Sequence, residues 1–268
     1  MIEYVFIGVG LYGAFVLLLF LTQRRFIYLP DRNVPDIAKA PWAKLITITT
    51  SDNLRLNGWW AEPEAETSPV IAFFHGNADN IEDRISKAEP YLSKGYGVLL
   101  AEYRGYGGNP GSPSEEGLYR DARAYLDWLL NEQAVTADWL IIYGESLGSG
   151  VATQMATEYA SKALVLDVPF FSVLGMCKFR FPMIPFMHML VKDHFRSDLK
   201  IGRIKRPVFI GVGERDFIIP ARFGKKLFDA AQEPKQFKSY PGAGHLGIYE
   251  QGFAADVIKF IENLNSVE

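Results

Sequence analysis

The sequence predicts an α/β fold in which a mostly parallel, twisted sheet carries helices on both faces. Short apolar segments alternate with longer helix-forming segments from residue 70 onwards, as is typical of parallel strands joined by crossover helices. The motif Gly-Glu-Ser-Leu-Gly at residues 144–148 follows one such strand and leads directly into a helical segment, which is typical of a sharp strand-to-helix turn. With 268 residues, of which 49% are hydrophobic, the chain can bury a full core as one domain.

The first element is an uncharged, apolar stretch over residues 4–23. A helix of this length would extend about 30 Å, which matches the hydrocarbon core of a bilayer. We therefore expect a single N-terminal membrane anchor, with the lipid bilayer as a partner through residues 4–23. A cleaved signal peptide is the alternative, but Glu3 stands where a basic region should be, and Arg24 and Arg25 follow the stretch instead of a small-residue cleavage site. Because the basic residues follow the stretch, the positive-inside rule predicts that the rest of the chain faces the cytoplasm.

The strands differ in their patterns. Residues 44–50 and 54–61 alternate in character around a turn at 51–53, which predicts an antiparallel hairpin. The later strands are continuous apolar runs, as expected for strands that are buried on both faces. These strands are predicted at residues 70–74, 98–101, 140–143, 163–166, 208–212 and 236–240.

The predicted helices lie between these strands. Ser114 is an N-cap for the helix over residues 114–130, and Asp79 is expected to cap the helix that starts near Asn80. The last segment has the apolar spacing of an amphipathic helix. The remaining helices are predicted at residues 147–159, 222–231 and 248–264.

One segment interrupts the alternation between the strands at 163–166 and 208–212. Residues 170–190 are rich in Phe and Met and contain Pro182 and Pro185, so the segment is too apolar for a solvated loop and too long for a plain connection. We expect a short cap, inserted at about residues 169–200, that lies over the carboxyl ends of the strands. Its apolar side chains are expected either to bind an acyl chain or to contact the membrane. The candidate substrate contacts are Phe170, Phe179, Phe181, Met183, Phe186 and Met187.

Charge and cysteine content exclude several classes of function. The net charge is −3, and Lys and Arg are scattered along the chain, which argues against a nucleic acid as a partner. Cys177 is the only cysteine, so an internal disulfide and a cysteine-based zinc cluster are both excluded. We expect neither a metal nor a cofactor.

Ser146, at the centre of the strand-to-helix motif, is the candidate nucleophile. A serine at the tip of such a turn adopts a strained backbone conformation, and larger side chains two positions before and after it would clash. Gly144 and Gly148 occupy those two positions. The glycines therefore favour a turn that presents the serine for chemistry.

A serine hydroxyl needs a base within hydrogen-bonding reach, and the base needs an acid that sets its tautomer. His245, in a glycine-rich loop after the last strand, is the candidate base. Asp216, in the loop after the strand at 208–212, is the candidate acid, and Asp167 is the alternative. The order Ser146, Asp216, His245 is the order that a hydrolase with this kind of turn requires.

Five short motifs are spread along the chain. They are His-Gly-Asn at residues 75–77, Tyr-Arg-Gly-Tyr-Gly at 103–107, Gly-Glu-Ser-Leu-Gly at 144–148, Gly-Glu-Arg-Asp at 213–216 and Gly-Ala-Gly-His at 242–245. These motifs resemble those of serine hydrolases of the α/β-hydrolase superfamily, and the resemblance covers nearly everything from residue 44 to the C-terminus. The anchor, the short cap and the Gly-Asn-Ala turn look most like the membrane-anchored subgroup that includes the protein depalmitoylases, which are acyl-protein thioesterases.

The resemblance implies an oxyanion hole made of two backbone N–H groups. One belongs to Leu147, and the other belongs to Asn77, with Ala78 as a less favoured alternative. The resemblance also implies that His75 has the structural role of holding this turn.

The predicted protein is a membrane-anchored serine hydrolase that cleaves a carboxylic ester or thioester with an apolar acyl group through an acyl-enzyme intermediate. Residues 1–29 are expected to form the anchor and residues 30–268 the catalytic domain. An amidase or peptidase of the same fold, and a catalytically inactive binding scaffold, are the alternatives. The sequence leaves the acyl group, the leaving group and the oligomeric state open.

Overall fold

A mixed sheet of eight strands forms the centre of the protein. The structure is a computed structural model that describes residues 2–265. A separate pair of two-residue strands, β1 and β5, lies beside this sheet within the described residues. The strands are β1 (Leu29–Pro30), β2 (Lys44–Thr49), β3 (Arg55–Ala61), β4 (Val70–Phe74), β5 (Ala78–Asp79), β6 (Gly97–Ala101), β7 (Leu140–Glu145), β8 (Ala163–Asp167), β9 (Val208–Gly213) and β10 (Lys235–Tyr240).

The strand order of the large sheet is β10-β9-β8-β7-β4-β6-β3-β2. The six neighbouring strands from β10 to β6 in this order are all parallel. The hairpin β2–β3 forms the antiparallel edge of the sheet, where β3 pairs with β6. The predicted fold class, a mostly parallel sheet with helices on both faces, is therefore confirmed. This topology brings the loops after β4, β7, β9 and β10 to the same edge of the sheet.

The helices cover both faces of the sheet, as the continuous apolar strands require. On one face, α4, α5 and α8 enclose a core that includes Leu126 and Val151, and on the other face α3 and α9 enclose a core that includes Tyr91 and Phe253. The helices are α1 (Ile2–Thr22), α2 (Arg24–Ile27), α3 (Ile85–Leu92), α4 (Glu115–Asn131), α5 (Leu147–Glu158), α6 (Val173–Arg180), α7 (Met187–Leu190), α8 (Ala221–Ala230) and α9 (Phe253–Asn265).

The capping of the segment after β5 differs from the prediction. Asn80, and not Asp79, is the N-cap: its side chain accepts a hydrogen bond from the Glu82 N–H, and its own N–H donates to Asp83. Asp79 has a left-handed backbone with φ of 67° and an exposed side chain, so it cannot serve as the cap. The first turn of this segment is a 3₁₀ helix, and α3 follows it.

The last helix begins later than predicted, at Phe253 instead of residue 248. Gly252, inside the predicted range, has φ of 89°, which is left-handed backbone that interrupts a helix. Ile248 is buried, and this explains why the apolar spacing of the sequence extends into the loop. The apolar pattern therefore reports burial here, and not helix.

α1 extends from the body of the protein with no buried residue. It is long and apolar enough to cross a membrane by length and composition, which agrees with the predicted stretch. Its C-terminal end is fixed to the cap. Arg24 forms a bidentate ion pair with Asp193, and Gln23 bonds the carbonyl of Leu190 and the N–H of Lys192.

The chain between α1 and the hairpin packs against the turn after β4. Leu29 and Pro30 form β1, which pairs in parallel with β5 at Ala78 and Asp79. The Leu29 N–H donates to the carbonyl of Asn77 at 2.8 Å. The predicted boundary between residues 29 and 30 therefore divides a strand, because this part of the chain belongs structurally to the catalytic domain.

Candidate active site

The strand-to-helix turn at Ser146 has the strained geometry that its glycines indicate. β7 ends at Glu145, α5 begins at Leu147, and Ser146 between them has φ of 49°. A Cβ on Gly144 would lie 2.4 Å from the Gly148 carbonyl oxygen, and a Cβ on Gly148 would lie 2.0 Å from the carbonyl oxygen of Phe74. Only glycine fits at either position. The turn therefore holds Ser146 at the catalytic edge of the sheet in a conformation that non-glycine residues seldom adopt.

The structure brings the three predicted triad residues into one chain of hydrogen bonds. The Nε2 atom of His245 lies 3.0 Å from the Ser146 Oγ, and its Nδ1 lies 2.6 Å from the Asp216 Oδ2. Because an ionised carboxylate only accepts, the Nδ1–H donates to Asp216, which leaves Nε2 free to accept the serine proton. The other Asp216 oxygen accepts the backbone N–H groups of Ile218 and Ile219, which fixes the acid in place.

The alternative acid, Asp167, is engaged elsewhere. One of its carboxylate oxygens accepts from Lys87 at 3.1 Å and from the Tyr143 hydroxyl at 2.9 Å. Its carbonyl accepts the Ser146 N–H at 2.8 Å, so Asp167 supports the turn through its backbone. The geometry therefore selects Asp216 as the partner of His245.

The two predicted oxyanion donors flank Ser146. Leu147 is the first residue of α5, where a backbone N–H has no partner within the helix. The turn after β4 lies against the serine, since a Cβ on Gly76 would be 3.5 Å from the Ser146 Cβ. Asn77 follows directly and is held by the Tyr106 hydroxyl, which donates to its carbonyl at 2.9 Å, and by its own Nδ2, which donates to the carbonyl of Ile27.

His75 supports the same turn from inside the protein. It is fully buried, with Nε2 at 2.9 Å from a Glu102 carboxylate oxygen and Nδ1 at 2.9 Å from the Gly76 carbonyl oxygen. The second Glu102 oxygen accepts the N–H of Ile81 at the start of the next helix. The histidine thus connects both ends of the turn that carries Asn77, in the structural role that the resemblance implied.

A buried ion-pair cluster beneath the serine was not predicted from the sequence. The Glu145 carboxylate binds Arg84 at 2.7 Å and Lys87 at 3.1 Å, and Arg84 also donates to the carbonyl of Ala78 in the oxyanion turn. Burial opposes ionisation of Glu145, but attraction to Lys87 and Arg84 outweighs it and lowers the pKa of this carboxyl to about 2. Burial raises the pKa of the neighbouring Asp167. The cluster links the serine turn to the oxyanion turn.

Three of the six candidate substrate contacts pack against other side chains of the protein, although Phe179 remains 42% exposed. Phe170 is buried in the core, where its ring meets Phe195 edge to face. Met187 is also buried. Phe179 meets the Phe223 ring of α8 edge to face and lies beneath the Arg222 guanidinium.

The other three candidates lie in the outer part of the cap. The Met183 carbonyl accepts a hydrogen bond from the Tyr12 hydroxyl of α1, and Phe186 lines a surface depression with the same tyrosine. Phe181 lines a separate apolar cavity of about 210 Å³ between α1 and the cap. None of Ser146, Asp216 and His245 is among the residues that line that cavity, so the cavity is separate from the triad. The Phe and Met content of residues 170–190 correctly indicated an apolar cap, but it did not indicate that α1 is the neighbour of this cap.

The described residues, 2–265, contain no group of three or more His, Cys, Asp or Glu side chains that could hold a metal ion.

Sequence and structure comparisons identify similar proteins. The profile of the alpha/beta hydrolase fold family matches residues 69–181. An uncharacterized protein of Mycobacterium tuberculosis is 38% identical over 226 residues, covering 83% of this chain and 80% of the relative. Lysophosphatidylserine lipase ABHD12 of Danio rerio is 32% identical over 201 residues, covering 68% of this chain and 52% of the lipase. A solved esterase of Pyrococcus furiosus superimposes with a TM-score of 0.69 at 21% identity, covering 88% of this chain and 98% of the esterase.

Proposed function

The chain belongs to the α/β-hydrolase superfamily, and we propose that it is a membrane-anchored serine hydrolase that cleaves a carboxylic ester or thioester through an acyl-enzyme. The observation that carries the proposal is the hydrogen-bonded chain from Ser146 through His245 to Asp216 at the strained turn. Each bond of this chain has the length that proton transfer or tautomer control requires.

In the proposed reaction, the Ser146 Oγ attacks the acyl carbon while His245 takes the serine proton at Nε2. The carbonyl π electrons move to oxygen, and the N–H groups of Leu147 and Asn77 stabilise the resulting oxyanion. Collapse of this intermediate breaks the bond to the leaving group, which takes the proton from His245. Water then repeats the sequence on the acyl-enzyme, releases the acid and restores the serine. Asp216 stabilises the imidazolium in both halves without being protonated itself.

An apolar acyl group is the proposed substrate feature. The cavity between α1 and the cap is almost entirely apolar in its lining, and one relative carries the name of a lysophosphatidylserine lipase. The likeness to the depalmitoylase subgroup adds a thioester to the candidates, because the acyl-enzyme step is the same for both leaving groups. A comparison of matched ester, thioester and anilide substrates decides between them, and faster cleavage of the anilide would favour the amidase alternative.

The proposed anchor is α1, and the proposed location of the catalytic domain is the cytoplasmic side. Support comes from the length and apolar composition of α1 and from Arg24, Arg25 and Arg32, which follow it.

A fluorophosphonate probe tests the proposed nucleophile. The wild-type protein should be labelled at Ser146, and Ser146→Ala should not be labelled. Ser149→Ala is the matched control, because Ser149 is also buried and lies one turn further along α5, where its hydroxyl donates to the Ser146 carbonyl. Labelling that survives Ser146→Ala would place the nucleophile elsewhere, and a wild type that resists the probe would favour a binding scaffold.

A further inference from the structure

The outer part of the cap, residues 181–190, carries an unusual exposed surface. None of these ten residues is Asp, Glu, Lys or Arg. Met183, Phe186 and Met189 are nevertheless 69%, 70% and 71% exposed. Large apolar side chains at this density on a surface indicate contact with another apolar phase.

The contacts of this segment with α1 set its height along the anchor. At one end, Gln23 bonds the Leu190 carbonyl, just beyond the C-terminus of α1. At the other end, the Tyr12 hydroxyl bonds the Met183 carbonyl at 3.0 Å. Tyr12 lies ten residues before the end of α1 at Thr22, and at 1.5 Å per residue this is about 15 Å, or half the thickness of a bilayer core. Residues 181–190 therefore extend along the C-terminal half of α1.

We infer that residues 181–190 are immersed in the membrane leaflet next to the catalytic domain, so that the protein meets the bilayer through two elements and takes its acyl substrate directly from that leaflet. The inference rests on the proposed anchoring of α1. If α1 spans the bilayer, a segment beside its C-terminal half occupies the hydrocarbon region. Immersion then removes Met183, Phe186 and Met189 from water.

The polar groups of the segment are suited to this position. Backbone groups in hydrocarbon need partners, and the N–H groups of Ile184, Met189 and Val191 donate to carbonyls one turn earlier, while Tyr12 satisfies the Met183 carbonyl. His188 is the only titratable side chain within the segment.

Cations flank the segment in the sequence. Lys178 and Arg180 precede it, and Lys192 follows it with its ammonium 4.3 Å from the Phe20 ring centre. Anionic headgroups attract cations that lie near the membrane surface. The segment thus shows an apolar centre between two positively charged ends, which is the pattern of an element that lies in one leaflet.

The same geometry provides a route for the substrate. The apolar cavity lined by Val16, Phe20, Phe181 and Met187 lies between α1 and the cap, on the side that the inference assigns to hydrocarbon. Its occupant is the hydrocarbon chain of a lipid from that leaflet. Arg180 at the end of α6 donates to the Phe217 carbonyl, which joins the cap to the loop that carries the proposed catalytic acid.

Depth-dependent fluorescence tests the inference on the full chain. Single cysteines are introduced at Phe186, Phe15 or Asn131 in a Cys177→Ala background, labelled with an environment-sensitive dye and reconstituted into phosphatidylcholine vesicles. Phe15 reports on α1. Asn131 is the aqueous control, because it lies at the far end of α4, about 24 Å from Glu115, which contacts Asp193 beside α1.

The label at residue 186 should be quenched by spin-labelled acyl chains and shielded from aqueous iodide, as at residue 15. The inference is overturned, and the anchor is left intact, if the label at residue 186 is quenched by iodide as it is at residue 131 while the label at residue 15 stays shielded. Exposure at both 186 and 15 overturns the anchor and the inference with it. Fluorophosphonate labelling of Ser146 is independent of all three positions, so the catalytic proposal is judged separately.

Kinetics supply a second measurement. Met189→Ser should lower hydrolysis of a long-chain ester embedded in vesicles on the order of tenfold, because it weakens the contact of this exposed side chain with the leaflet. Hydrolysis of water-soluble nitrophenyl acetate should be unchanged. An equal loss on both substrates, or no loss on the embedded ester, contradicts entry from the leaflet.

Discussion

Substitution of Gly148 by alanine tests how closely the strained turn controls catalysis. An added Cβ would lie 2.0 Å from the carbonyl oxygen of Phe74 and 2.6 Å from that of His75. Since real Cβ atoms essentially never approach closer than 3.0 Å, the start of α5 and the end of β4 must separate by about 1 Å. The colliding atoms are backbone, so no rotamer change relieves the clash. The movement displaces Ser146 and the Leu147 N–H from the turn that carries Asn77.

A misplacement of about 1 Å can reduce turnover on the order of 100-fold, and overpacking of this kind costs roughly 1–3 kcal/mol of folding stability. The assay compares kcat on a soluble nitrophenyl ester, together with thermal unfolding, for wild type and Gly148→Ala. Gly247→Ala is the control, because its Cβ would have no neighbour closer than 3.5 Å. A folded Gly148→Ala protein with wild-type kcat would refute the argument that the turn geometry limits catalysis.

Further predictions concern the triad, the buried cluster, the anchor and the acyl chain. Asp216→Asn should lose roughly 10³ to 10⁴ in turnover, because the tautomer of the His245 imidazole is no longer set. Asp167→Asn should retain the triad geometry and lose far less turnover. If steady-state kinetics show the larger loss in Asp167→Asn, the roles of the two aspartates are exchanged. The pKa of Glu145 is lowered to about 2, so its ion pairs stabilise the folded protein fully above about pH 4.5. This contribution to the free energy of unfolding, at most about 3 kcal/mol, is lost as the pH falls towards 2. Glu145→Gln should be less stable than wild type at neutral pH, and its unfolding temperature should depend less on pH between 4.5 and 2. A pH dependence equal to that of the wild type would contradict a stabilising role of the Glu145 ion pairs. The full chain should stay with membranes after carbonate extraction, and its release into the soluble fraction would argue against the α1 anchor. With esters of increasing acyl length, two added carbons should raise kcat/KM roughly tenfold until the cavity is filled, and a preference for acetyl would contradict an apolar acyl site.

Much of the fold and the triad was predictable because the signals are local. Continuous apolar strands, the glycines around Ser146 and the loop positions of Asp216 and His245 all follow from short stretches of sequence. The parallel topology then requires that these stretches meet at one edge of the sheet. The structure places all three side chains within hydrogen-bonding distance, as the sequence predicts.

The unpredicted features depend on contacts between distant segments. Glu145 meets Arg84 across 61 residues, and nothing in the local sequence around either residue indicates the other. Tyr12 meets Met183 across 171 residues, so the apolar composition of the cap could not reveal that α1 is its neighbour. Composition predicts that a side chain seeks an apolar environment, but only the folded chain determines which one.

The pairing of β1 with β5 alters how the protein should be divided. The Leu29 N–H donates to the carbonyl of Asn77, and the Asn77 side chain donates to the carbonyl of Ile27. The linker that follows α1, residues 23–30, therefore supports one proposed oxyanion donor. A fragment that begins at residue 31 would lack these two hydrogen bonds, whereas a fragment that begins at Gln23 would keep them. Tension on the linker would act on the same turn. If α1 anchors the protein as proposed, the position of the anchor and the geometry of the proposed oxyanion hole are joined through the backbone of two residues, Ile27 and Leu29.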